Sequence, residues 1–173
     1  MANYSYVDIE FTGSEKDIKN VLLELESKKY NDFWLDPTLG LKEEPEKGYN
    51  SIKDVKINFE KTSISISGLG RWSGPYEYIK DLVKRHNLSG SMFDMECGID
   101  WSYFIEFENG EVVSHEQDEY FSTLSIQVKG IDFWIEELSW IVDMEDWEED
   151  YDHYISIFNS YGVSVENLKE NWN

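Results

Sequence analysis

The hydrophobic period of this chain switches from two residues to about 3.6 and back, twice, within its first half, and that switching constrains the fold most. "YSYVDIEFTG" alternates Val7, Ile9 and Phe11 with polar residues and reads as a strand. "SEKDIKNVLLELESKKY" then spaces Ile18, Val21, Leu22 and Leu25 as a helix, with Ser14 as N-cap and Asp17 three residues on. Residues 31–54, with two prolines, read as a long loop, and "VKINFEKTSISISG" as a hairpin turning near Glu60–Thr62. Pro75 suits the first turn of a second helix, whose stripe is Tyr78, Ile79, Leu82 and Val83, with Gly90 just beyond its end. "SMFDMECGID" and "WSYFIEFENGEVVSHEQ" read as further strands, with Asn109-Gly110 as a tight turn. The order β-α-ββ-α-ββ predicts an α+β fold: a ferredoxin-like split βαβ antiparallel sheet with helices on one face.

The C-terminal part reads as helical. Ile131, Trp134, Ile135, Leu138, Ile141 and Val142 keep one helical stripe. The stripe breaks near Asp143, where a second helix starts with Met144, Trp147, Tyr151, Ile155 and Phe158 on its apolar side. A last short helix is expected over 164–172. The expected organisation is therefore a ferredoxin-like domain over 1–119 and an acidic helical extension over 120–173 packed on it.

Charge enters here, because it is not spread evenly. The chain carries 36 Asp and Glu against 15 Lys and Arg, a formal net charge of −21. Residues 1–90 hold 15 acids and 13 bases, whereas residues 91–173 hold 21 acids and only Lys129 and Lys169. Salt adaptation or general solubility would not stop at the midpoint, so the asymmetry points to a local purpose. The densest stretch, "DMEDWEEDYDHY" at 143–154, has seven carboxylates and no Lys or Arg. Like charges at helical neighbours cost about 0.2–0.5 kcal/mol per pair.

"RWSGPYEYIKDLVKRHNL" followed by "FDMECGIDWSYFIEFENGE" resembles the YubB-type ferredoxin-like domain of plasmids and phages. The matching residues are Trp72, Pro75, Glu96 and Gly110, within a stretch of roughly residues 4–115. The resemblance implies a ferredoxin-like fold and a mobile-element origin, and transfers no catalytic residue. The overall character is similar to that of acidic phage anti-defence proteins of the anti-CRISPR and anti-restriction kinds.

Other chemistries fit these residues poorly. Counted from Asp146 or from Asp143, an EF-hand loop would need glycine at Tyr151 or Glu148 and glutamate at Ile157 or Tyr154, so the calcium motif fails. His86, His115, His153 and Cys97 have no metal-ligand spacing. Cys97 with His86 or His115 is a conceivable nucleophile and base, but a small residue inside a strand is the plainer reading. "GLGRWSG" lacks the lysine of a phosphate loop. No enzyme, cofactor or metal is expected, and no direct nucleic-acid binding, since no basic patch stands out. With no signal peptide at "MANYSYVDIEFTG", no apolar run near the about 20 residues of a membrane span, and one cysteine, the expected setting is the cytoplasm.

The expectation is an inhibitor that mimics nucleic-acid charge and blocks the channel of a basic host nuclease. Residues 145–152 carry six carboxylates, about one per 2 Å of helix axis against about one per 1.7 Å in duplex DNA. The candidate partner-binding residues are Asp143, Glu145, Asp146, Trp147, Glu148, Glu149, Asp150, Tyr151 and Asp152, with Glu106, Glu108, Glu111, Glu116, Asp118 and Glu119 from the strands. Asp94, Glu96 and Asp100 are read as extending that surface, and Trp101, Tyr103 and Tyr120 as anchors within it. The alternative is a non-catalytic acidic binding module with another basic partner.

Overall fold

The computed structural model of the chain describes residues 4–27, 33–34, 52–71, 74–96, 100–138 and 148–164. It divides into two compact units, residues 1–120 and 121–173. The first is α+β. In chain order it contains β1 (Tyr4–Thr12), α1 (Glu15–Ser27), β2 (Phe33–Trp34), β3 (Ile52–Phe59), β4 (Ser63–Arg71), α2 (Tyr76–His86), β5 (Ser89–Glu96), β6 (Trp101–Glu108) and β7 (Glu111–Asp118). The strands form one sheet in the order β2-β3-β4-β1-β5-β6-β7. Every pairing in it is antiparallel.

Alternation along β1 assigns the two faces. Val7, Ile9 and Phe11 are buried in one core with Ile64 and Ile66 of β4, Met92 of β5, and Ile105 and Phe107 of β6. The same core holds Ile18, Val21 and Leu25 of α1 and Ile79, Leu82 and Val83 of α2. Both helices therefore cover one face of the sheet. Ser14 caps α1 by accepting the Asp17 N–H at 3.2 Å.

Three boundaries differ from the periodicity. Part of the expected 31–54 loop is strand, since β3 begins at Ile52 and β2 pairs with it. Pro75 is the residue before the first turn of α2, not inside it. Helix α2 ends at Asn87, whose φ of 50° and ψ of 47° give the left-handed cap, with no role for Gly90. Gly90 instead lies inside β5 at φ 146°, where an added Cβ would sit 1.9 Å from the Glu10 carbonyl oxygen. It is a close-approach glycine.

The second unit contains α3 (Thr123–Lys129), α4 (Ile131–Glu137) and α5 (Glu148–Ser160). Helix α3 escaped the periodicity. Ser122 caps it in a reciprocal capping box with Ser125. Gly130, at φ 83°, separates it from α4. Of the single stripe expected over 131–142, Ile131, Trp134 and Ile135 fall on α4, which ends at Glu137 with Leu138 as its C-cap, and Ile141 and Val142 lie outside the described residues. Its core is aromatic: Phe121 meets Trp134 at 5.0 Å, Tyr154 at 5.1 Å and Phe158 at 4.8 Å between ring centroids. Asp143 as a cap lies outside the described residues, as does the helix expected over 164–172 apart from Ser164, which is not helical.

Candidate functional site

The register gathers most of the strand acids on one surface. Residues alternating away from the α1–α2 core form the other face of the sheet. One row across it runs Asn58, Ser65, Glu10, Ser91, Glu106, Ser114. Each acid in that row is flanked by serines, so no cation lies directly across from it. At about 4.8 Å between strands, Glu10 and Glu106 stand about 10 Å apart, close to one Debye length, which keeps their repulsion small.

The hairpin of β6 and β7 concentrates the charge. Asn109 and Gly110, at φ 49° and 86°, form its turn, as their sequence predicts. Glu108 lies directly across from Glu111. Glu106 pairs with Ser114, but Phe107 pairs with Val112, so Val113 is an extra residue on β7. That bulge matters for the surface. Glu111 and Glu116 are five apart, and strict alternation would put them on opposite faces; the extra residue brings both to the face of Glu106 and Glu108. Asp118 follows Glu116 on it. All five are exposed. Glu119 is also exposed, its N–H donated to Asp118 Oδ1 at 2.9 Å and its carbonyl accepting from Ser102 Oγ at 2.8 Å.

Several expected members are elsewhere. Asp94 and Glu96 are only 2% exposed and cannot extend the surface. Both point to the face that carries the helices. Asp94 Oδ2 accepts the Gly74 N–H at 2.6 Å. Burial is the main influence on its carboxyl, pushing it up to about 6 against the pull of that N–H and of the Ser5 hydroxyl; the Glu96 charge also raises it. Neither Ser5 Oγ nor Asp94 Oδ1 has a hydrogen-bond partner of ordinary geometry among the described residues. Asp100 is exposed, and its carboxylate accepts the Tyr120 N–H at 3.1 Å. Tyr120 is buried and cannot anchor a partner. Trp101 and Tyr103 lie on the helix-bearing face, where Tyr103 meets Tyr76 edge-on at 5.7 Å. Of the resemblance residues, Pro75, Glu96 and Gly110 are buried, and Trp72 lies outside the described residues.

In the second unit, Glu148, Glu149, Asp150, Tyr151 and Asp152 fall in the first turns of α5, and Asp152 is exposed. Asp143, Glu145, Asp146 and Trp147 lie outside the described residues. Glu10 and the half-buried Asp8, missing from the expected set, share the acidic sheet face with the hairpin. Their alternation in "YVDIEF" was visible, but their neighbours depended on the register.

A second charged cluster joins α1 to α2. Glu24 accepts two hydrogen bonds from the Arg85 guanidinium, at 2.6 and 2.7 Å, and one from Tyr78 at 3.0 Å, and meets His86 Nε2 at 3.1 Å. The Arg85 hydrogen bonds are the main cause holding the Glu24 carboxyl down at about 2, well below its usual range. His86 is engaged there, and Cys97 lies outside the described residues. A cleft of about 380 Å³ between β1, β3 and β4 has Glu10 and Glu60 as the titratable groups in its lining. Among the described residues, no group of three or more His, Cys, Asp or Glu is placed to hold a metal ion. No described helix is long and apolar enough to cross a membrane.

No family model matches the chain, and no curated protein or solved structure is significantly similar to it.

Proposed function

We infer that this chain is a non-catalytic binder of a basic partner and, more specifically, a phage or mobile-element inhibitor that occupies the nucleic-acid channel of a host defence nuclease. One observation carries the reading. Glu106, Glu108, Glu111, Glu116 and Asp118 are exposed on one sheet face, and Glu106, Glu116 and Asp118 have Ser114, Phe104 and Ser102 as their neighbours across the strands. Two basic side chains of α2 are engaged with acids on the helix side, Lys80 with Glu77 at 2.9 Å and Arg85 with Glu24 at 2.6 Å, while Lys84 is exposed beside the hairpin turn. Among the described strand pairings no base lies directly across from these acids, although Lys56 of β3 shares their sheet face, and a basic partner is met by acid at the hairpin end of it.

Charge density distinguishes the two acidic elements. Five carboxylates along the eight residues of each hairpin strand give about one per 5 Å, a third of the duplex density of about one per 1.7 Å. Glu148, Glu149, Asp150 and Asp152 of α5 give about one per 2 Å. The mimic reading therefore places the duplex-like field on α5, and the hairpin supplies a broader, weaker one.

The frame agrees with a split βαβ of ferredoxin-like type: β1 lies between β4 and β5, with β3 outside β4. That order supports the resemblance to the YubB-type domain and, with it, a mobile-element origin. The test is cleavage of duplex DNA by RNA-guided and restriction nucleases in the presence of the protein. Inhibition that weakens with added salt, without any shift of bare duplex by the protein itself, is the expected result. A shift of bare duplex, or full cleavage by every nuclease at low salt, overturns the mimic.

A further inference from the structure

The last strand of the sheet is an edge with an unusual composition. Strand β7 ends the strand order, and among the described residues it pairs only with β6. Past the bulge, Ser114–Asp118 is regular and exposed or half-exposed throughout, without a proline, lysine or arginine. Native edges are usually blunted by lysine, proline, a covering element or extreme shortness. Here the Val113 bulge sits at the turn end only, leaving about 17 Å of regular strand with alternate backbone N–H and C=O groups facing outward.

We propose that the free edge of β7 receives an extended basic segment of the partner as an added strand. This rests on the basic-partner reading above and specifies its mode of docking. Backbone pairing supplies affinity, and the two side-chain faces of the edge supply specificity. On the acidic face, Ser114, Glu116 and Asp118 alternate, with Glu106 one strand further in. The incoming strand would set lysine or arginine opposite these at every second position. On the other face stand His115 and Gln117, so the intervening positions would be neutral and polar. A second copy of this chain is the wrong occupant, because its own β7 would bring Glu116 and Asp118 against like charges.

The probe is a peptide of about nine residues alternating lysine and threonine, within the ordinary range of strand lengths and long enough to span the regular part of the edge. One control has the same composition with its lysines in a block; another is N-methylated at alternate amides. The alternating peptide should bind about tenfold more tightly than either control. It should also slow hydrogen exchange at alternate amides within 114–118. Combined Glu116→Lys and Asp118→Lys substitution should weaken it by about tenfold, while Glu26→Lys, at an exposed site on α1, leaves it within about twofold. Equal binding of the N-methylated peptide, no binding of the alternating one, or protection elsewhere overturns strand addition. Dimerisation through β7 would overturn the choice of occupant. None of these outcomes depends on nuclease inhibition, which tests the basic-partner reading separately.

Discussion

Glu24 shows how far one residue's role can depart from its local pattern. In "VLLELES" it is one of two similar acids on a balanced helix, and a charge change there would be expected to do little. In the fold it receives Arg85, Tyr78 and His86 from α2, and only 19% of its side chain remains exposed. Glu24→Ala should destabilise the protein by about 1–2 kcal/mol, a bidentate but half-exposed pair plus a stranded Tyr78 hydroxyl, seen as a lower urea midpoint. Glu26→Ala, at an exposed site, should change stability by less than about 0.5 kcal/mol. The pH dependence follows from the sign. The Glu24 carboxyl is held down, so its contribution is complete above its unfolded value of 4.5 and disappears as pH falls toward about 2.

Asp94 has the opposite sign. Its carboxyl is raised from 3.8 to about 6, so the folded state favours the protonated form. That contribution is complete below pH 3.8 and is lost as pH rises through about 6. Asp94→Asn keeps an acceptor for the Gly74 N–H and removes the buried charge. At pH 7.5 it should be more stable than the parent by roughly 1–3 kcal/mol, and its denaturation midpoint should lose the slope between pH 4 and 6. A variant less stable than the parent at pH 7.5 would mean that the charge is satisfied in the fold. Nothing in "SMFDMEC" signals this burial. Alternation implies one wet face, and β5 is buried on both faces over Met92–Glu96.

At the scale of elements, legibility follows the strength of the local signal. Strand β1, helix α1 and the Asn109-Gly110 turn were readable because period and turn chemistry agree there. Helix α3 was not, because Ser125 and Gln127 interrupt its apolar pattern and its capping box uses serine where glutamate or glutamine is the usual partner. The acidic face was half readable. Its residues could be named from the sequence, but the Val113 bulge that brings Glu111 and Glu116 to one face is a property of strand pairing. Gly90 makes the same point. Its place near the end of a helical pattern suggested a cap, and its actual role is to let β1 approach β5. Gly90→Ala should cost several kcal/mol, because φ 146° is closed to alanine and the Cβ meets backbone 1.9 Å away, where no rotamer change can help. A urea titration reads this directly, and a loss below about 1 kcal/mol would mean that β1 and β5 shift apart at little cost.

At the scale of the whole molecule, the open matter is which acidic element a basic partner uses. The helix is the denser of the two and the hairpin the wider, so the fields differ in reach as well as strength. Two fourfold reversals separate them: Glu145, Glu148, Glu149 and Asp152 to lysine, and Glu106, Glu108, Glu116 and Asp118 to lysine. The hairpin set is exposed, as is Asp152, so neither change removes core packing at those positions. Each reversal exchanges an attraction of up to about 1 kcal/mol at contact for a similar repulsion, reduced by screening. Four together should weaken nuclease inhibition on the order of 100-fold where the element is used. The duplex-like density of α5 predicts that its set has the larger effect and flattens the salt dependence more, since fewer counterions are then released from the partner. A Glu26→Lys control should leave inhibition unchanged. Should the hairpin set dominate, the broad sheet face is the binding element and mimicry of duplex density is the wrong model. Should both sets inhibit like the parent, the acids serve solubility, and neither acidic element is the partner surface.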